Sequence, residues 1–290
     1  MKIKKIEKVI TPKSKHFVGD GFHVYNIIPG NDGLSMRRMS PFIMMDYNAL
    51  MTFPPSDIPR GVGVHPHRGF ETVTIAYKGK IAHLDSSGGG GIISEGDVQW
   101  MTAASGVLHK EYHEEEWSRK GGDFQMVQLW VNLPAKYKMT SPKYQAIPNK
   151  IIPKVKIPND LGEIEVIAGE LNGIAGAAST FSPLHVYSAR MKSGANFDFT
   201  LPASFNSAIL ILDGSVNING DTASTNQFVL FKNEGEQIIV QTAIDSIILV
   251  LSGEPIEEPI AHYGPFVMNT KAELLEAIDD YNNGKFGHLE

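Results

Sequence analysis

The chain has 290 residues, with 26 basic and 32 acidic side chains and a net charge of −6. At 42% hydrophobic and 20% charged it is rich enough to bury a core and too apolar for disorder. The acidic balance argues against direct nucleic-acid binding. The absence of cysteine excludes disulfides, thiolate metal sites and cysteine nucleophiles, so any metal must be held by His, Asp or Glu. No apolar run reaches the ~18 residues of a membrane span, and Met1 to Lys8 lacks the apolar stretch of a secretory signal; the expectation is a cytoplasmic protein with no membrane partner. The length suits two domains.

Short apolar segments alternate with turns along the first half. Strands are expected at 69–75, 80–84, from 92, at 98–102 and at 122–133. The turns between them are Lys78-Gly79, Ser86 to Gly91 and Glu95-Gly96-Asp97. From 136 to 159 the chain becomes proline-rich and loses periodicity, which reads as an inter-domain connection. The second half repeats the rhythm, with strands expected at 186–191, 208–212, 215–219, 227–231 and 246–251. Ile209 to Val216 echoes Val73 to Lys80: an apolar strand reaches a glycine turn and continues as another strand, which suggests an internal duplication. Near the end, Thr270 and Glu273 form a capping box, and Leu274, Leu275, Ile278 and Tyr281 make an apolar stripe before Gly284. This predicts a helix over 271–283, lying as a lid on a barrel. The fold class is therefore mainly β: a sandwich or barrel in each of two domains, 1–135 and 136–290, with a short C-terminal helix.

The chemistry concentrates in two groups among ten histidines, His65-Pro66-His67 and His109-Lys110-Glu111. Each has i, i+2 spacing, so on a strand both side chains of a pair share one face. Two strands can aim two side chains each at one point, and three imidazoles with a carboxylate suit a first-row ion such as Fe, Mn, Co, Ni, Cu or Zn. His113 shares the parity of His109 and Glu111 and is a candidate extra ligand. His185 and His262 stand alone and read as structural or surface residues. The glycine run lacks the Lys-Ser/Thr of a phosphate loop, and no Gly-x-Ser-x-Gly elbow is present. Phe42, Met44, Met45, Phe53, Trp100, Met101 and Trp130 are either core or walls of an aromatic-binding pocket.

These residues carry a resemblance. Gly61-x3-His65-x-His67-x3-Glu71-x7-Gly79 approximates the first cupin motif, and Gly96 with Gly106-x2-His109 the second. His65 to Thr74, Gly96 to Ala103 and Gln128 to Pro134 resemble the signature of the pirin family, as do Ser40 to Asp46 and Asn283 to Gly287. Ser40 departs from it, because pirins usually have Asp there, and Lys110 stands where a small residue is common. The resemblance implies a bicupin, two cupin-like β-barrels in one chain, with one divalent metal, chiefly Fe(II), in the N-terminal barrel. Its implied ligands are His65, His67, His109 and Glu111. Many other cupins use instead the glutamate of the first motif, here Glu71. Parity keeps Glu71 on the face of His65 and His67 if no bulge intervenes. The implied activity is a dioxygenase acting with O2 on a small aromatic substrate of flavonol type, such as quercetin, with Glu111 as ligand and general base. The alternative implied role is a non-enzymatic regulator acting on a protein partner.

Overall fold

The computed structural model describes residues 1–30 and 33–290. It is mainly β, and each half pairs a seven-stranded sheet with a four-stranded one. In the first half the large sheet runs Lys143–Ile147, Val98–Thr102, Phe70–Lys78, Gly122–Asn132, Phe42–Phe53, Phe22–Ile28, His16–Val18. The small sheet runs Gly61–His67, Val107–His113, Ile81–Asp85, Gly90–Ile93. The second half repeats both orders, strand for strand. Asn206–Asp213 and Ser215–Ile218 there take the places of Phe70–Lys78 and Ile81–Asp85. The echo between 209–216 and 73–80 thus falls on topologically equivalent strands. Among the described residues no helix is long and apolar enough to cross a membrane.

Strand parity builds the contact between the barrels. On Phe70–Lys78, Val73 and Ile75 join a shared core with Trp100, Val127 and Leu129 from the same sheet and Val186, Leu210 and Leu249 from the other barrel. Tyr77 donates to Ser188 Oγ at 3.3 Å, and Tyr47 to the Leu212 carbonyl at 3.1 Å, so the two phenols cross the seam with their hydroxyls satisfied. Each fully buried aliphatic side chain on this seam contributes roughly 1.5–3 kcal/mol.

Both chain ends cross to the opposite barrel. Ile6–Ile10 pairs with Phe228–Phe231 at the edge of the second large sheet. The Ala261–Tyr263 and Phe266–Met268 hairpin and the Lys271–Asn282 helix pack instead on the first barrel. The proline-rich connection is not structureless: Lys143–Ile147 extends the first large sheet beside Val98–Thr102, and Lys154–Lys156 joins the second. The predicted helix starts on its capping box at Thr270, but its buried face is Leu274, Ala277 and Asp280. Leu275 and Tyr281 are exposed, because Asp280 turns inward to meet Arg68 at 2.8 Å.

Lys138 fastens the C-terminal hairpin. Its buried ammonium donates to the Gly69 carbonyl at 2.6 Å, Asn132 Oδ1 at 2.6 Å and the Val267 carbonyl at 2.9 Å. Three donors meet three acceptors. Lys138→Met should leave those acceptors buried and unpaired, at a cost of about 3 kcal/mol. Urea unfolding would show this as a lower midpoint at unchanged slope.

Candidate metal centre

The small sheet of the first barrel places Val107–His113 between Gly61–His67 and Ile81–Asp85. His109 stands opposite His65 on one side and Asp85 on the other, while Glu111 stands opposite His83. Glycine permits the close approach on the first side. A Cβ on Gly61 would sit 2.2 Å from the Glu111 carbonyl oxygen and 2.6 Å from Tyr112 Cα. Gly61→Ala should therefore push the two strands apart and weaken metal binding, read as a rise in dissociation constant by chelator competition.

Three of the four expected residues converge directly. The ring centroids of His65 and His67 lie 4.1 and 4.5 Å from that of His109, and one nitrogen of each of the three rings lies within 4.8 Å of the other two. Glu111 reaches His109 in a second group of the same tightness whose third member is His83. His109 is thus common to both. The Glu111 carboxylate accepts from Thr74 Oγ1 at 3.2 Å and from Gln128 Nε2 at 3.5 Å, and its Oε1 lies 3.8 Å from His83 Nδ1.

Protonation favours ligation. Burial, reinforced by neighbouring imidazoles, holds His67 and His109 well below the usual imidazole range, so both are neutral with lone pairs available. His65 Nδ1 donates to the Gly63 carbonyl at 2.8 Å, which leaves Nε2 as the coordinating atom. Burial alone would lower His83 too, but Asp85 and Glu111 outweigh it and raise it. Asp85 itself falls to about 2: burial works against this, but hydrogen bonds from His83, Ser87 and the Gly89 and Ser87 backbone prevail.

The cluster fits a metal ion. His67 Nδ1 and both ring nitrogens of His109 are buried without a hydrogen-bond partner. Each unpaired buried polar atom costs roughly 1–3 kcal/mol. Neutral imidazoles and a carboxylate are the donors a borderline first-row ion takes.

Glu71 lies elsewhere. Between His67 and Phe70 the strand is broken at Arg68-Gly69, where Gly69 has φ +90° and presses on the Val267 carbonyl. The parity counted from His65 is lost there. Thr74 faces Glu111, so Glu71 and Val73 face the opposite way. Glu71 accepts from Thr102 Oγ1 at 2.8 Å, and burial lifts its pKa to about 7.

His113 takes a packing role. Its Nε2 donates to the Gly21 carbonyl at 2.8 Å, its ring packs among Phe53, Trp117 and Phe124, and burial lowers it to about 4. The acidic run after it starts a helix: Glu114 caps Glu115–Lys120 by accepting from Glu116 N and Trp117 N. Lys110 points away and donates to the Glu290 carbonyl. His185 lies 2.9 Å from the Tyr187 hydroxyl, and His262 is exposed. Sequence reading missed His83 and Asp85, although their i, i+2 spacing on an expected strand was the available signal.

The cluster lies at a cavity of about 420 Å³. His65, His67 and Glu111 line it, Phe22, Val24, Met44, Met126 and Trp130 give it apolar walls, and Asp46 and Gln128 add polar groups. Gly264 and Pro265 of the C-terminal hairpin complete it. Met44 and Trp130 are thus pocket walls, while Phe42, Met45 and Trp100 belong to the seam between barrels.

Family models for pirin and for the pirin C-terminal cupin domain match residues 21–131 and 186–287. A crystallised quercetin 2,3-dioxygenase from Acinetobacter baumannii superposes with a TM-score of 0.93 at 47% identity, covering 99% of this chain and 100% of that one. The Pseudomonas aeruginosa protein named "Putative quercetin 2,3-dioxygenase PA2418" is 44% identical over 98% of this chain and 99% of its own length. Pirin-1 of Arabidopsis thaliana is 36% identical over 97% and 94%. With both halves matched and relatives aligned from end to end, the chain belongs to the pirin family of the cupin superfamily.

Proposed function

We propose that this protein is a metal-dependent dioxygenase acting on a flavonol-type substrate. The observation that carries the reading is the juxtaposition of one donor cluster with one aromatic-sized apolar cavity. The names of relatives that align from end to end support it. His65, His67 and His109 would hold the ion, with Glu111 at its side toward the substrate. When bound, a divalent redox metal would supply open positions for a deprotonated hydroxyl and for O2.

The remaining work falls to this chain's side chains. Glu111 takes the proton of the substrate's acidic hydroxyl at its carboxylate, which leaves the ring electron-rich. Thr74 and Gln128 hold that carboxylate in place. Phe22, Met44, Met126 and Trp130 exclude water and flank the aromatic rings. The overall reaction inserts both atoms of O2 and releases one carbon monoxide.

Fe(II)-loaded protein incubated with quercetin under O2 should consume flavonol and oxygen and evolve carbon monoxide. Glu111→Gln should lower turnover about 100-fold or more, the size of a lost general base. No flavonol loss, no oxygen uptake and no carbon monoxide from metal-loaded protein would overturn the proposal.

A further inference from the structure

One polar row crosses the apolar wall of the cavity. Asn26 stands opposite Asp46, Asp46 opposite Gln128 and Gln128 opposite Thr74, on four neighbouring strands of the large sheet. Directly opposed residues share a face. The row is linked at both ends. Asn26 Nδ2 donates to Asp46 Oδ1 at 2.7 Å, and Thr74 Oγ1 lies 3.0 Å from Gln128 Oε1 as it reaches toward Glu111. The near end is therefore tied to the metal-side carboxylate. One step before the far end stands a second carboxylate, Asp46, which lines the same cavity and belongs to neither donor group.

Asp46 has no evident task in the barrel. Asn26 engages Oδ1, and Oδ2 has no hydrogen-bond partner among the described residues. The group is half-buried, and burial raises its pKa. A carboxylate oxygen left free at the wall of a cavity is a ready acceptor for a hydroxyl of whatever enters it. Strands are spaced about 4.8 Å apart, so Asp46 stands two steps, about 10 Å, from Thr74. That span is comparable to the length of a two- or three-ring aromatic.

We infer that Asp46 is a specificity-determining residue, accepting a hydrogen bond from a hydroxyl on the substrate end remote from the metal. This rests on the dioxygenase reading and narrows its substrate class. Carboxylates at both ends of the cavity disfavour anionic ligands. The row selects an uncharged planar aromatic with one acidic hydroxyl for the Glu111 end and at least one further hydroxyl at the other. Asn26 acts through Asp46 as a positioning residue.

The test is calorimetric titration of metal-loaded protein without O2, so that nothing turns over. The two probes are quercetin, which carries distal hydroxyls, and 3-hydroxyflavone, which carries only the reactive one. Asp46→Ala should weaken quercetin about ten-fold or more, as expected for a lost hydrogen bond to a charged group, and shift 3-hydroxyflavone less than two-fold. Asp46→Asn, which keeps the shape and an acceptor oxygen, should fall between. Metal content should match that of the parent in both variants. Equal weakening of both probes, or unchanged quercetin affinity, would overturn the role of Asp46 and leave the dioxygenase reading standing. Parent protein that binds neither probe would overturn both.

Discussion

Replacing His109 with alanine should empty the metal site, whereas replacing His83 should only weaken it. His109 is the one residue present in both tight donor groups, and its ring lies between those of His65 and His67 on one side and His83 on the other. Its loss removes a donor from either arrangement an ion could adopt. His83 stands behind Glu111, against Asp85, whose Oδ2 is 3.5 Å from His83 Nε2. An ion held by His65, His67 and His109 would feel His83 only indirectly, through Glu111 and the neighbouring ring of His109. Losing a residue that orients a ligand typically costs 10–100-fold in affinity, and losing a ligand costs more. Metal content by elemental analysis, with dissociation constants from chelator competition, separates the cases. A His109→Ala protein that retains one tightly bound equivalent would remove this cluster from consideration. A His83→Ala protein as empty as His109→Ala would move the ion to the group of His83, His109 and Glu111.

Local periodicity made much of this legible. The pairs His65/His67 and His109/Glu111 could be placed on common faces because a strand has a period of two; the register with Gly61–His67 shifts between His109 and Glu111, but on the other side both stay in step with Ile81–Asp85. The same count failed for Glu71, since a single glycine at Gly69, with φ +90°, resets the face at a point where a Cβ would sit 2.0 Å from the carbonyl oxygen of Val267, far along the chain. The pairing of Ile6–Ile10 with Phe228–Phe231 was hidden for the same reason: an edge strand's sequence records its alternation, not its partner. In the terminal helix, the buried Asp280 broke the hydrophobic pattern because its partner, Arg68, lies in the other half of the chain. His83 and Asp85 differ from these. Their spacing was visible, but it acquires meaning only once strand register sets His83 opposite Glu111.

Metal-free protein should lose stability on acidification from pH 7 to pH 5. Burial holds His67 and His109 well below the ordinary imidazole value and lowers His113 to about 4. In the unfolded chain all three titrate near 6.5. Below that pH the unfolded state binds protons that the folded state refuses, so stability falls as pH falls. The slope is about 1.4 kcal/mol per pH unit for each proton, and about 4 kcal/mol per unit for three. Two groups offset part of this. His83 is raised in the folded state, so its contribution grows as pH falls to about 6.5 and is complete below that. Buried Glu71, lifted to about 7, takes up a proton in the folded state that the unfolded carboxylate binds only at about 4.3, so its contribution also grows on acidification. Asp85, held at about 2, begins to lose its contribution only below the unfolded aspartate value near 3.9. A domain's whole stability is about 5–15 kcal/mol, so the net loss left after these offsets is a measurable fraction of it. Bound metal would protect it, because an ion on the nitrogens of His67 and His109 stabilises the folded state by mass action and must be displaced before they protonate. Urea unfolding at pH 7, 6 and 5, with and without metal, reads both effects. A metal-free midpoint that stays flat across this range would show that these imidazoles are not held neutral, and with that the argument for a ligand-ready cluster would fail.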